Sequence, residues 1–323
     1  MLLPALFDDS PLLRRHALAV GDGHVLNVEE YGNAQGIPAL VLHGGPGSGC
    51  SPLLRRFFDP RRYRVILPDQ RGAGGSQPRG STLRNTTADL LADLRALRTH
   101  LGPARWLVVG GSWGATLALA HAAAEPDAVL ALLLRASFLA RREDIDWFFQ
   151  HAAREAPAAW ARFAADVPAE HHAALLPWLT RVFSEGTVLD QLRAATAWWT
   201  WEQALAGGVA KTPAPPVGEA LTAFVDRYRV QSHYLAHDCW LTEPPLLDRL
   251  HTLPLVPTLL LHGTQDRVCR PAGARALHAQ VPHSRLSWVA GAGHDPSHPA
   301  MVGAMVSALN GYAERGDFDE ATR

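Results

Sequence analysis

Lysine is almost missing from this chain of 323 residues: Lys211 is the only one, and arginine supplies the rest of the 30 basic side chains. Against 31 acidic residues they leave a formal net charge of −1, which excludes the basic field that nucleic acid or anionic lipid would require. Cysteine is scarce too. Cys50, Cys239 and Cys269 are widely spaced and form no C-x-x-C pair, so neither a disulfide framework nor a zinc knuckle is expected, and a reducing compartment suits them. No run reaches the ~18 apolar residues of a membrane span. The stretch from Met1 to Asp9 lacks a basic segment and is interrupted by acids, and Arg14-Arg15 precedes no apolar core. A secretion signal is therefore not expected, and a cytoplasmic location is.

What is present is a hydrophobic fraction of 47%, enough to bury a large core. Strands are expected near 14–20, 24–31, 38–42, 63–68, 105–110, 129–134, 257–262 and 284–289. From residue 38 onward these are continuous apolar runs, as a parallel sheet covered on both faces requires. Thr86 to His100 has leucines at 90, 94 and 97, with Leu101 just beyond, and a Thr-x-x-Asp start, the mark of an amphipathic helix. Further helices are expected at 116–124 and 299–312. This alternation is that of a doubly wound α/β sheet. Between 137 and 245 strand signals fade, and seven of the ten tryptophans (147, 160, 178, 198, 199, 201 and 240) fall there. That composition predicts an inserted helical cap over 137–245 on a core of 1–136 and 246–323. Most of its tryptophans are expected to pack the cap's own core, and the remainder to supply aromatic pocket walls. Lys211 to Gly218 is a loop stiffened by proline.

The most informative stretch is Leu107 to Thr116, an apolar run feeding Gly110-Gly111-Ser112-Trp113-Gly114 and then a helix-forming segment. A serine at the apex of a sharp strand-to-helix turn sits on a strained backbone, and glycines two residues to either side leave room where a Cβ would clash. By itself such a motif also fits a glycine-rich loop with a capping serine. Two later segments complete it. The apolar run 256–262 ends in a turn that presents Asp266, and the short strand Leu286 to Val289 leads through a glycine-rich loop to His294. A serine hydroxyl needs an imidazole to take its proton and a buried carboxylate to hold the imidazole's tautomer. Ser112, His294 and Asp266 thus read as nucleophile, general base and orienting acid, in the chain order Ser, Asp, His of the α/β-hydrolases. His298 is the nearest competitor among 16 histidines. Pro296 between it and His294 argues against a helical metal pair, so neither metal nor cofactor is expected. His43-Gly44-Gly45-Pro46-Gly47 follows an early apolar strand, where backbone N–H groups can face an oxyanion; the donors expected are the amides of Gly45 and Trp113.

Taken with Asp69-Gln70-Arg71-Gly72-Ala73-Gly74-Gly75-Ser76, Trp201-Glu202 and Asp266-Arg267-Val268-Cys269, these motifs resemble the bacterial proline iminopeptidases, the prolyl aminopeptidases of the α/β-hydrolase superfamily. The resemblance spans nearly the whole chain. It implies an α/β-hydrolase fold, a mostly parallel doubly wound sheet with an inserted helical cap, and removal of an N-terminal proline from a small peptide through an acyl-enzyme. Glu202 matches the family's W-E motif and is the expected anchor for the substrate's cationic amine. Arg135 and Phe138 match family pocket positions, with Phe138 placed to stack on the pyrrolidine ring. One departure concerns the second amine ligand: the family pattern R-[IV]-E-x-H-Y has an acid where Arg229-Val230-Gln231-Ser232-His233-Tyr234 offers Gln231, a neutral acceptor. Phe148 and Phe149 stand where the family tends to have tyrosine. Proline peptides would then bind more weakly, or the preferred substrate would shift to a small ester, amide or non-proline aminoacyl compound. A binding protein with idle chemistry is a third reading. Cys269 is expected close to the site, where a mercurial would inhibit by crowding. Oligomeric state has no signature in the sequence.

Overall fold

All eight expected strands form: β1 (Leu12–Gly21), β2 (His24–Gly32), β3 (Ile37–Leu42), β4 (Tyr63–Pro68), β5 (Trp106–Gly111), β6 (Val129–Arg135), β7 (Thr258–Gly263) and β8 (Arg285–Val289). The computed structural model describes residues 5–207 and 218–318, so the loop expected at 211–218 lies outside it except for Gly218. The strands make one sheet in the order β1-β2-β4-β3-β5-β6-β7-β8. β2 pairs antiparallel with both β1 and β4, and every other neighbouring pair is parallel.

Apolar runs in the central strands are continuous because both faces are covered. Leu40 and Val108 point into a core shared with Leu90, Leu94 and Leu97 of α1 (Thr87–Leu101). Their neighbours Ala39, Val41, Leu107 and Val109 point the other way, onto Met301, Met305 and Leu309 of the C-terminal helix Pro299–Arg315. Each fully buried aliphatic side chain of this kind contributes roughly 1.5–3 kcal/mol relative to exposure. The Thr-x-x-Asp start of α1 is a full capping box between Thr86 and Asp89, and Gly102 ends the helix in the left-handed region at φ 82°.

The elbow helix α2 (Trp113–Ala124) runs under the sheet centre. Between β6 and β7 the described residues include the helices α3 (Arg142–Phe149), α4 (Pro157–Phe163), α5 (Leu175–Glu185), α6 (Val188–Leu205) and α7 (Glu219–Ala236), followed by a single turn at Leu246–Arg249. The tryptophan distribution reflects how they pack. Trp198 and Trp201 are fully buried, and Phe163 stacks on Trp201 with ring centroids 5.9 Å apart.

Candidate active site

Loops at the C-terminal ends of β3, β5, β6, β7 and β8 converge above the parallel strands, where open α/β sheets place their ligands. Ser112 leaves β5 with φ 57° and ψ −124°, a conformation that costs on the order of 1–3 kcal/mol for a residue with a side chain. Its amide donates to the Arg135 carbonyl at 3.0 Å, which pins the turn to β6. The flanking glycines are required by close approach. A Cβ on Gly114 would lie 2.0 Å from the Leu42 carbonyl oxygen, and one on Gly110 would lie 2.2 Å from that of Gly114.

Asp266 and His294 are joined by a 2.8 Å hydrogen bond from His294 Nδ1 to Asp266 Oδ2. The other carboxylate oxygen accepts from the amides of Val268 and Cys269, both at 2.9 Å, so the acid is fixed before the imidazole reaches it. Burial pulls the Asp266 carboxyl up, but the His294 and His262 rings and the Cys269 amide outweigh it and hold the group below the ordinary aspartate range. His262 donates through Nε2 to the Cys269 carbonyl at 2.9 Å and lies 3.9 Å from Asp266 Oδ2. Ser112 Oγ faces the same cavity as His294 but makes no hydrogen bond to its ring; its polar neighbour is Cys269 Sγ at 3.8 Å.

On the opposite wall, the loop after β3 is locked to the elbow through Gln70. Gln70 donates from its backbone amide to His43 Nε2 and from its side-chain amide to the His43 carbonyl, both at 3.0 Å. Its carbonyl Oε1 accepts from Trp113 Nε1 at 2.8 Å. His43 Nδ1 donates to the Gly44 carbonyl at 2.9 Å, and burial pulls this ring's pKa down, so it stays neutral in the tautomer the network needs. The Gly45 and Trp113 amides at either side have no acceptor among the described residues. Gly45 borders the cavity, whereas the Trp113 side chain is fully buried behind it.

The cavity measures about 490 Å³ and is closed on one side by α6 and α7. Glu202 accepts from Arg227 Nη2 at 3.1 Å, Tyr228 Oη at 2.9 Å and Gln231 Nε2 at 2.9 Å. Glu202, Arg227 and Gln231 all border the cavity, and so do Arg135 and Phe138. A Cβ on Gly47 would come within 2.6 Å of the Arg227 carbonyl oxygen, so the β3 loop and α7 are in direct backbone contact. Aromatic walls come from Phe57, Phe138, Phe148 and Phe149; among the described residues no tryptophan borders the cavity. This corrects the expectation that cap tryptophans supply pocket walls. On α6 the positions 198, 201 and 205 turn into the core between these helices, while 202, 203 and, just past its end, 206 face the cavity.

Three residues of the site had no role in the sequence reading. Gln70 sits inside a quoted motif, yet its hydrogen bonds depend on three loops meeting. His262 ends an apolar run, and its contact with the Cys269 carbonyl depends on how the following turn folds back. Arg227 precedes Gln231 by one helical turn on α7, and that spacing was its available signal.

Comparison with known proteins gives the family and the fold. A family model described as the alpha/beta hydrolase fold matches residues 38–299. A proline iminopeptidase of Xanthomonas citri is 38% identical over 95% of this chain and 99% of its own. One from Xylella fastidiosa is 39% identical over 91% of this chain and 95% of its own. Among solved structures, the proline iminopeptidase of Mycobacterium smegmatis superposes with a TM-score of 0.60 at 22% identity, covering 94% of this chain and all of that one, which bears on the fold.

Proposed function

The chain belongs to the proline iminopeptidase family of α/β hydrolases, and from that premise we propose that it is a serine exopeptidase releasing N-terminal proline from peptides. The observation that carries this reading is the placement of Ser112, of the Asp266-linked His294 and of the Glu202 cluster on one cavity.

In the proposed reaction Ser112 Oγ attacks the prolyl carbonyl carbon while His294 Nε2 takes the hydroxyl proton. Asp266, kept ionised by its surroundings, holds the imidazolium through Nδ1. The tetrahedral oxygen receives the amides of Gly45 and Trp113, where each such donor supplies roughly 3–4 kcal/mol of transition-state stabilisation. Collapse expels the peptide amine with the proton from His294, leaving prolyl-Ser112 as an ester. Water activated by the same imidazole then releases proline. The reaction requires Ser112 Oγ to turn from Cys269 toward His294, a hydrogen bond that commonly forms only with substrate in place.

We assign residues 137–245 as the specificity cap and Glu202, Gln231, Phe138 and Arg135 as the substrate-facing set. The described residues include no helix long and apolar enough to cross a membrane. The three cysteines are free, and we place the reaction in the cytoplasm. Gln231 favours a second reading, a small ester, amide or non-proline aminoacyl substrate. Hydrolysis of proline β-naphthylamide in preference to alanine β-naphthylamide supports the exopeptidase; turnover of p-nitrophenyl acetate alone refutes it.

A further inference from the structure

The Glu202 carboxylate is already matched before any substrate arrives. Arg227 forms an ion pair with its Oε2 at 3.1 Å, Tyr228 donates to the same oxygen, and Gln231 donates to Oε1. The three donors come from one helix: Arg227 and Gln231 lie one turn apart on α7, on the face turned toward α6 and the cavity. The Gln231 carbonyl Oε1 and the Arg227 Nε are both buried without a partner. This end of the cavity therefore holds one negative and one positive side chain, an unpaired neutral acceptor, and the apolar rings of Phe148 and Phe149. A cationic ring nitrogen placed against Glu202 would also feel the Arg227 guanidinium on the far side of the same carboxylate, and that repulsion offsets much of the attraction.

We propose that Arg227 is a specificity-determining residue that neutralises this subsite, so that it takes a five-membered-ring acyl group for its shape and hydrogen bonding and not for a positive charge. The substrate class then extends to amides of five-membered-ring carboxylic acids whose ring carries no charge. This rests on the exopeptidase reading above for the orientation of the acyl group.

The test compares kcat/KM for proline β-naphthylamide with that for the carbocyclic analogue, cyclopentanecarboxylic acid β-naphthylamide, in which a CH2 replaces the ring nitrogen. The ratio of the two reports the value of the charge. Arg227→Met leaves Glu202 uncompensated, and the ratio should rise by about tenfold or more; Arg227→Lys keeps the cation and should hold the wild-type ratio. Gln231→Glu adds a negative charge from the other side, should raise the ratio in the same direction, and keeps the test open where Arg227→Met does not fold. If these variants turn over both substrates with the wild-type ratio, the assignment of Arg227 is overturned while the exopeptidase reading stands. If wild type refuses both substrates yet hydrolyses p-nitrophenyl acetate, the exopeptidase reading fails and this one with it.

Discussion

Arg135 Nη1 donates to the main-chain carbonyl of His294 at 2.7 Å, tying the end of β6 to the loop that carries the proposed general base. The guanidinium is buried, and that burial pulls its pKa down against the opposing pull of Asp266 and Asp295. An arginine held there anchors a loop as well as bordering the cavity.

Replacing that anchor should therefore act on the chemical step. We expect Arg135→Met to lower kcat by about tenfold to a hundredfold, the cost typical of a small misplacement of a catalytic group, with a smaller change in KM. Steady-state kinetics on proline β-naphthylamide check this; a rise in KM at unchanged kcat would make Arg135 a ligand for substrate alone.

Gln70 joins the β3 loop to the elbow through His43 and Trp113. Gln70→Leu removes both its side-chain contacts and should loosen the two proposed oxyanion donors, with a fall of about tenfold in kcat. Equal kcat in wild type and variant would mean that the donors are held by their own loops.

Burial pushes the Cys269 thiol well above its ordinary pKa, yet its sulfur lies 3.8 Å from Ser112 Oγ. Alkylation at neutral pH should be slow, and a mercurial should abolish turnover by filling the space beside Ser112. Cys269→Ser should keep most of its activity and resist the mercurial. An inactive Cys269→Ser that still folds would give the sulfur a direct part in the chemistry.

His121 of α2 is buried, accepts from Trp106 Nε1 at 3.1 Å, and is pulled by that burial from 6.5 to about 4. Because the folded pKa is depressed, the unfolded chain binds a proton in this window that the native protein refuses. Stability is thus full above about pH 6.5 and falls as pH drops toward 4, by on the order of 3 kcal/mol for this group. His43 and His262 are shifted the same way by burial. Urea midpoints at pH 7 and pH 4.5 should show a smaller acid loss in His121→Gln, whose amide oxygen can still accept from Trp106. An unchanged loss would remove His121 from the account.

The sheet and the elbow were legible because close packing dictates residue type. Gly110 and Gly114 have no room for a Cβ, and strands covered on both faces must be apolar throughout. Asp266 and His294 were legible for a related reason, since each follows a strand end by a short glycine-containing turn. The helices between β6 and β7 are less legible. Residues 198, 201 and 202 are near neighbours in sequence, but successive helical positions rotate by about 100°, so two tryptophans turn inward while Glu202 faces the cavity. The pairing of Glu202 with Arg227 depends on how α6 packs on α7, which no local pattern encodes.

The proposed reaction stands on Ser112 as the nucleophile of an acyl-enzyme. Intact-mass analysis after exposure to a fluorophosphonate tests it most directly. One adduct per wild-type chain is expected, located on Ser112, with loss of proline β-naphthylamide turnover in step with labelling and no adduct on Ser112→Ala. An adduct on another residue, or full turnover by a Ser112→Ala chain, would contradict it.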